Sequence, residues 1–388
     1  MENAYYIFFL LSLFVIFWGM VGYSLSIKFL GKVYKNKKIS KNYSHQPTVT
    51  VMVVAHNEEK VINEKLNNIV NLVYPKDKIK FIVASDNSVD KTNDIVEQFI
   101  LENPDKKIRL HKVKKRLGKT NAQNEAQKLV DTEFLVMTDA NSILDCNSIK
   151  ELMASFSSDE ISYVAGRLDY LNEEEGSVSQ SEGNYWSKEL RIREIESRIQ
   201  TITAGNGALY ACRNSEYYDF EPLKSHDSNM PRYFALKGKK AICNHDAIAY
   251  EKAGEVITDE FKRKVRMNRR ILINILPDLR ILNIFKYKWY SYFYFGHRTC
   301  RYLLWISHLV LFVSNALLIF NSWIFTLTFI GQVAFYLLAL LKALTKIENK
   351  YLNIVYYYSV TVIAQWVGVY NIITGKAKPF WEKAESTR

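Results

Sequence analysis

Cysteine is scarce in this sequence, and its few cysteines are not grouped. The four are Cys146, Cys212, Cys243 and Cys300. They form no CxxC pair and do not combine with histidine at the spacing of a zinc site. The pattern argues against a cysteine-based metal centre and is typical of reduced thiols in the cytosol.

Basic residues are missing in front of the first apolar segment. Residues 5–27 are almost free of charge and are long enough to cross a bilayer at roughly 20 residues per span. A secretory signal peptide begins with Lys or Arg, whereas Glu2 precedes this run, and the run is longer than a normal signal-peptide core. We therefore expect residues 1–30 to stay in the protein as a transmembrane anchor.

A cluster of lysines follows this anchor, in a juxtamembrane linker over residues 31–47 and just before it. The lysines are Lys28, Lys32, Lys35, Lys37, Lys38 and Lys41. The positive-inside rule places this side in the cytoplasm, with the N-terminus outside and the soluble part inside. Much of the net charge of +12 stands beside membrane segments. Anionic lipid head groups explain it more simply than nucleic acid does, so we expect membrane lipids and no nucleic acid as partners.

A glycine that a P-loop requires is also missing. Residues 112–120, KVKKRLGKT, end like a Walker A motif, but Val113 stands where the motif has its first glycine. The chain is therefore not predicted to be a P-loop ATPase. Arg116 and Lys119 could instead offset phosphate charge, and the plainer alternative is a solvated charge run in a loop.

Between the membrane segments, apolar runs alternate with helical patterns. Residues 48–55 are rich in β-branched side chains, and residues 61–73 carry apolar side chains at helical spacing. A second buried strand over 79–84 and a helix over about 91–101 follow. Strand and helix in alternation predict a parallel sheet with right-handed crossovers. Polar clusters at successive strand ends should then converge on one edge.

Two oxygen-bearing side chains stand at the end of another predicted strand. Residues 134–137 are a short apolar run that leads to Asp139, with Asn141 two residues later. Ligands of open α/β sheets bind at the carboxyl edge of the strands, and two such side chains can share one hard cation. We interpret the pair as holding a divalent metal on a diphosphate. The plainer alternative is an Asx turn that closes the strand.

Asp86 follows the predicted strand over 79–84 in the same way. It is a candidate to accept hydrogen bonds from a nucleotide base or ribose. An aspartate at this place can equally be the N-cap of the next helix.

Four motifs in order resemble those of the family 2 glycosyltransferases, which are inverting enzymes with a nucleotide-sugar-binding fold of the GT-A type. They are AHNEE, ASDNSVDKT, RLGKTNAQN and VMTDANS. The resemblance covers about residues 48–270 and implies an α/β domain there, with a mostly parallel central sheet. It is closest to the membrane-embedded subgroup that includes hyaluronan, chitin-oligosaccharide and cellulose synthases and many capsular or exopolysaccharide transferases.

The resemblance implies a donor site in the first half of this domain. Asn57 and Glu58, with Asp86, would contact the nucleoside, and Lys119 would lie near the donor. Asp139 and Asn141 stand where the family has its metal-binding DxD, which implies Mg²⁺ or Mn²⁺. Because the second carboxylate is an amide here, the metal site carries one negative charge less.

The second half would supply the acceptor side and the general base. Asn206 and Gly207, in TAGNGALYACRNS, resemble the acceptor-side segment of the family. Asp227, in KSHDSN, stands where the family keeps its catalytic carboxylate, although the usual acidic pair is His226 and Asp227 here. Asp219 and Asp246 are rival bases, His226 is a further one since an imidazole near neutral pKa can do the same work, and a plain surface loop is the alternative.

The family motif QxxRW aligns with Arg263, Arg266 and Met267. Only the arginine at Arg266 is retained, and its action on the diphosphate is carried over, with Arg263 beside the donor and Met267 on the acceptor side. The missing Gln and Trp put processive polymerisation in doubt. A basic stripe on anionic lipid is the plainer interpretation of the cluster around them.

The C-terminal part returns to membrane patterns. Residues 271–300 mix aromatic and basic side chains, as interfacial helices do. Residues 301–374 predict about three spans, over 302–320, 323–344 and 351–373, and residues 375–388 form a basic tail. Counting spans puts this tail outside, whereas its positive charge puts it inside. The side of the C-terminus stays open.

The sequence thus predicts a multi-pass cell-membrane enzyme with a cytoplasmic catalytic domain. It would transfer a sugar, with inversion, from a nucleotide-sugar donor, expected to be a UDP-sugar, to a growing glycan or a lipid-linked acceptor. The alternatives are a single-addition transferase on a polyprenyl-linked acceptor and a catalytically silent nucleotide-binding scaffold. A homo-oligomer or an export partner is compatible with this reading.

Overall fold

The computed structural model describes residues 2–172, 177–253, 257–269, 271–275, 278–345, 347 and 349–380. The chain divides into two units. The sheet unit contains Ile27–Asp259 and Ile281–Phe293 and takes in the C-terminal segment from Lys378; the helical unit contains Met1–Ser26, Glu260–Arg280 and Tyr294–Ala377. Arg270 and residues 381–388 of the predicted basic tail lie outside the described residues.

Strands and helices alternate through most of the sheet unit. The strands β1 to β8 are Val49–Ala55, Ile79–Ser85, Ile108–Lys112, Phe134–Asp139, Ile143–Leu144, Ile161–Tyr170, Leu209–Arg213 and Lys240–Glu251. In the described residues, the α-helices α1 to α14 are Glu2–Phe17, Tyr23–Val33, Ile62–Val70, Thr92–Glu102, Lys119–Gln127, Ser148–Ala154, Ser177–Ile199, His226–Leu236, Ile257–Asn268, Ile284–Tyr287, Trp289–Phe293, Leu304–Leu318, Trp323–Leu344 and Lys350–Ile373.

The strands form one mixed sheet in the order β3-β2-β1-β4-β7-β6-β8-β5. The first four strands in this order are parallel, whereas β7 runs antiparallel to both β4 and β6. Val54 pairs with Asp139, and Ala55 pairs with Ser85. The carboxyl ends of β1, β2 and β4 therefore meet at one edge, as the alternation of strand and helix predicts.

Apolar side chains cover both faces of this sheet. On one face, Val51 and Val136 pack in a cluster with Leu66 of α3. On the other face, Met52 packs in a cluster with Ala122 of α5 and Phe234 of α8. Burial on both faces explains why β1 and β4 are almost continuous apolar runs rather than alternating ones.

The helix α8 begins where the sequence offered a plain loop as the alternative. Ser225 has an extended conformation just before it, and Asp227 lies in the first helical turn. An acidic side chain there is favoured by the unpaired N–H groups at the start of a helix. The polar run KSHDSN is thus a helix start.

The helical unit contains the long apolar helices. Residues 2–33, α13 and α14 are each long and apolar enough to cross a membrane. The helix α12 has only 15 residues, fewer than the predicted span over 302–320. It reaches the length of a span only together with the helical segment before it.

Candidate active site

The loops that follow β1 and β2 are tied to each other. Asn57 and Asn87 both have φ of 54°, a left-handed conformation that asparagine adopts more readily than most residues. The Asn57 Oδ1 accepts a hydrogen bond from the Val89 N–H at 2.9 Å. The N–H of Glu58 donates to Thr92 Oγ1 at 2.7 Å, and its side chain is buried. These contacts fix the predicted nucleoside loop before any ligand arrives.

Asp86 holds the loop that leads into α5. Its carboxylate accepts hydrogen bonds from the N–H groups of Leu117, at 3.2 Å, and Gly118, at 2.9 Å. Burial raises the pKa of Asp86, and these two bonds work against that rise. Asp86, which is predicted to contact the nucleoside, thus also positions Gly118, the residue directly before Lys119.

The position of Gly118 leaves no room for a side chain. Its φ is +95°, and a Cβ would lie 2.5 Å from the carbonyl oxygen of Pro379. Beside it, the Arg116 guanidinium lies 4.5 Å from the centre of the Phe380 ring. The C-terminal segment of the sheet unit therefore packs directly on this loop.

Lys119, Asp139 and Gly207 come together at the carboxyl edge of β4. The Lys119 ammonium forms an ion pair with the Asp139 carboxylate, and its Nζ lies 3.3 Å from the Gly207 carbonyl oxygen. A Cβ on Gly207 would lie 3.0 Å from that Nζ and 3.4 Å from Asp139 Oδ2. The glycine therefore leaves the space in front of this ion pair open.

The same edge offers oxygen atoms to a divalent cation. Asp139 ends β4, and Asn141 lies in the turn before β5. Carboxylate and amide oxygens suit Mg²⁺ or Mn²⁺. The described residues contain no group of three or more His, Cys, Asp and Glu side chains that could hold a metal. A cation held by these two side chains would have to take its other ligands from a diphosphate and water, and this site stays a prediction.

Lys65 lies beneath this edge, a feature that the sequence reading missed. It has no exposed surface, and its ammonium donates to Thr138 Oγ1 at 2.9 Å and to the Ser142 carbonyl oxygen. Burial lowers its pKa to about 7, while Asp139 and Glu251 act to raise it. Lys65 thus forms hydrogen bonds with residues on both sides of Asp139 in the sequence.

A signal for Lys65 was present in the sequence. Four residues are spaced so that they lie on one face of α3, namely Ile62, Lys65, Leu66 and Ile69. The three apolar ones are buried core residues. A lysine in the middle of an apolar stripe is almost never buried without a partner. The stripe could therefore have pointed to a buried acceptor near Asp139.

Asp227 joins the same site through the segment Gly205–Gly207. Its backbone carbonyl accepts a hydrogen bond from the Gly205 N–H at 2.8 Å, while Gly207 lies against Lys119 and Asp139. A three-residue segment thus connects the predicted base to the predicted cation edge. Asp227 is only partly buried, so an acceptor hydroxyl can approach it.

Asn206, between these glycines, uses its side chain inside the protein. Its Nδ2 donates to the Gly166 carbonyl oxygen at 2.7 Å, and its Oδ1 accepts from the N–H groups of Ala208 and Leu209, each at 3.1 Å. The side chain is buried. Asn206 therefore shapes the segment, and its contact with an acceptor stays a prediction.

The rival bases differ from Asp227 in their burial and in their partners. His226 is buried, and its ring contacts Gln123 Oε1 at 2.9 Å and the Tyr217 hydroxyl at 2.8 Å. Burial lowers its pKa to about 3, so the ring is neutral and occupied. Asp246 is mostly exposed and pairs with Lys41 at 2.6 Å, and Asp219 is exposed.

Arg263, Arg266 and Met267 all lie on α9. The Arg263 guanidinium pairs with Glu260, with Nε 2.7 Å from Oε2, and the Lys264 ammonium lies 3.1 Å from the other oxygen of that carboxylate. These residues belong to the helical unit. Their roles toward the diphosphate and the acceptor stay predictions.

The comparison with protein families agrees with the site. Residues 50–220 match the model of glycosyl transferase family 2. This stretch contains β2, β4, all but the first residue of β1, and the Gly205–Gly207 segment, and it ends before Asp227. Residues 50–220, somewhat less than half of the chain, are therefore similar to the family 2 glycosyltransferases, as the four ordered motifs predict.

Two curated glycosyltransferase sequences are similar to part of this chain. It is 33% identical over 137 residues, 35% of its length, to the probable glycosyltransferase YdaM of Bacillus subtilis. It is 26% identical over 167 residues, 42% of its length, to the beta-monoglucosyldiacylglycerol synthase of a Nostoc species. These matches span only 33% and 34% of the two relatives.

The fold itself is similar to that of a mannosyltransferase from Pyrobaculum calidifontis, solved in complex with GDP-Man and Mn²⁺. The TM-score is 0.71 with 17% sequence identity, over 97% of this chain and 100% of that one. At this identity the likeness concerns the fold alone. The predicted α/β fold of the GT-A type is confirmed.

Proposed function

We propose that this protein transfers a sugar, with inversion, from a nucleotide-sugar donor to a glycan or lipid-linked acceptor at a membrane. The observation that carries the proposal is the segment Gly205–Gly207. It has the predicted base Asp227 at one end and the Lys119–Asp139 pair at the other. A displacement reaction needs a base and a charged leaving-group site on either side of one sugar, and the short segment between Asp227 and the ion pair supports such an arrangement.

The donor would lie along the carboxyl edge of the sheet. The loops at Asn57, Glu58 and Asp86 would face the nucleoside, and Lys119 would face the diphosphate. Asp139 and Asn141 would hold Mg²⁺ or Mn²⁺, which when bound would offset the negative charge of the departing diphosphate. The Mn²⁺ in the similar mannosyltransferase structure supports a divalent cation. We expect a UDP-sugar, with a GDP-sugar as the alternative that this neighbour suggests.

The new bond would form at the anomeric carbon, and the proton would be transferred to Asp227. The acceptor oxygen bonds to the anomeric carbon as the bond from that carbon to the diphosphate oxygen breaks. The acceptor's proton passes to the Asp227 carboxylate, and the negative charge leaves on the nucleoside diphosphate beside Lys119. Attack from the face opposite the leaving group inverts the anomeric centre.

The acceptor would come from the membrane side of the chain. Residues 2–33, α13 and α14 are candidate spans, and the lysines after the first of them support a cytoplasmic catalytic domain. A growing polysaccharide is the acceptor that the family resemblance favours. The glycolipid in the name of the Nostoc relative favours a single addition to a lipid as the alternative.

The test is nucleotide release by the purified full chain in lipid vesicles, with a panel of UDP- and GDP-sugars and with glycan and diacylglycerol acceptors. Asp227→Asn should lower turnover roughly 10²- to 10⁴-fold, the usual contribution of a general base. Donor binding should stay near its original strength. The matched control is Asp219→Asn, an exposed aspartate eight residues earlier, which should keep full turnover.

Other outcomes would change the assignment or decide between the two acceptors. Loss of turnover in Asp219→Asn but not in Asp227→Asn would move the base. Binding of nucleotide without release from any donor would favour the silent scaffold. A product that grows by many sugars would decide for polymerisation, and a single addition would decide for the lipid-linked alternative.

A further inference from the structure

We propose that a divalent cation binds this site tightly only together with a diphosphate, because Lys119 pairs with Asp139 until a diphosphate draws its ammonium away. The inference rests on the proposed function and adds an order of binding to it. It makes Lys119 a residue that couples the two ligands.

The first step in the argument is the charge at the cation edge. Of the two predicted cation ligands, Asp139 is charged and Asn141 is neutral. The charge of Asp139 is already matched by the Lys119 ammonium. A cation that arrives alone would therefore have to displace Lys119 and would gain one carboxylate and one amide.

The second step is what a diphosphate changes. Its oxygen atoms offer Lys119 a new anionic partner, and ammonium–phosphate contacts are strong charge-assisted hydrogen bonds. The same oxygen atoms offer a cation the further ligands that Asp139 and Asn141 lack. Gly207 leaves open the space in front of the pair, so the ammonium can leave Asp139 without a rearrangement of the backbone. Each ligand thus removes the obstacle to the other.

The third step is the size of the effect. Two ligands that favour each other must do so reciprocally, and such coupling commonly changes each affinity by roughly 5- to 150-fold. We expect a coupling in this range for the wild type. Without the ammonium at position 119, Asp139 is free for the cation, so most of the coupling should disappear.

The experiment titrates the full chain in detergent with Mn²⁺ and follows free Mn²⁺ by electron paramagnetic resonance, alone and with saturating UDP or GDP. The wild type should bind Mn²⁺ weakly alone and at least about tenfold more tightly with one of the nucleotides. Lys119→Met should bind Mn²⁺ more tightly alone and the nucleotide more weakly. Asn141→Asp is a second variant that should also bind Mn²⁺ more tightly alone, because it adds a carboxylate.

The matched control is Lys115→Met, an exposed lysine of the same loop, which should keep the wild-type coupling. Equal Mn²⁺ affinity of the wild type with and without a bound nucleotide would overturn the inference alone. Unchanged coupling in Lys119→Met would do the same. Failure of every form to bind either nucleotide would overturn the proposed function and this inference together.

Discussion

At the scale of single residues, His226 shows how burial can hold a titratable side chain inside the protein. Both ring nitrogens are occupied by Gln123 and Tyr217, and the ring stacks on that of Tyr217 at 5.0 Å. The neighbouring Asp227 is only partly buried. The two neighbouring residues differ in burial, and the sequence of His226 and Asp227 alone could not predict this difference.

Lowering the pH from about 7.5 to about 5 should destabilise the wild type more than His226→Gln. The unfolded chain takes up a proton at this histidine near pH 6.5, whereas the folded chain keeps it neutral down to about pH 3. The folded pKa is the lower one, so the unfolded state binds more protons in this window, and stability is lost as the pH falls through it. Near pH 5 the difference amounts to roughly 2 kcal/mol, at about 1.4 kcal/mol per pH unit.

Thermal unfolding of both proteins in detergent at the two pH values checks this. Glutamine can still bond with Gln123 and Tyr217, so the variant should fold. An equal decrease of the unfolding temperature in the two proteins would show that His226 does not carry the acid sensitivity.

At the scale of elements, the sequence predicts β1, β2 and β4 well because each is an apolar run that stops at a polar cluster. It predicts α8 poorly, because Ser225 and Asp227 are as common in loops as at helix starts. The antiparallel strand β7 between β4 and β6 is set by pairing across the sheet, which a local pattern does not contain. The partners of Asp86 lie more than thirty residues away for the same reason.

Gly205→Ala should destabilise the sheet unit by about 1–3 kcal/mol, the usual cost of overpacking a core. A Cβ at this position would run into the buried Tyr163 hydroxyl. That hydroxyl has no hydrogen-bond partner among the described residues. Tyr163→Phe should therefore be close to neutral alone, and Gly205→Ala should cost less in its presence.

The free energies of unfolding of the two single variants and the double variant form the test. Tyr210→Phe is the control, since its hydroxyl accepts a hydrogen bond from Gln123 at 3.0 Å and its loss should destabilise. Strictly additive costs for Gly205→Ala and Tyr163→Phe would contradict the predicted clash.

At the scale of the whole molecule, the contact of the C-terminal segment with Gly118 bears on the number of spans. Pro379 and Phe380 pack on the loop at Arg116 and Gly118, so we expect them on the cytoplasmic side with the catalytic domain. Spans at residues 2–33, α13 and α14 would then bring the C-terminus back inside, and α12 would not cross. This solution also satisfies the positive charge of the tail.

Thiol labelling of intact cells with a membrane-impermeant reagent tests this topology. Cys146 is the exposed native cysteine among the free cysteines and should stay unlabelled until the membrane is opened. In a Cys146→Ser background, Asn3→Cys should be labelled from outside and Lys376→Cys should not. Labelling of Lys376→Cys from outside would require a fourth span, and labelling of native Cys146 would reverse the orientation.

Lys65 is shielded from reagents as well as from water. Acylating reagents must contact the amine, and the burial that lowers the pKa of this lysine to about 7 also keeps them away from it in the folded state. Since it has no exposed surface, it can react only when the sheet opens, whereas surface lysines react from the folded state. The rate of Lys65 acylation, measured by mass spectrometry, would therefore report how often the sheet unit opens. A bound nucleotide should lower this rate.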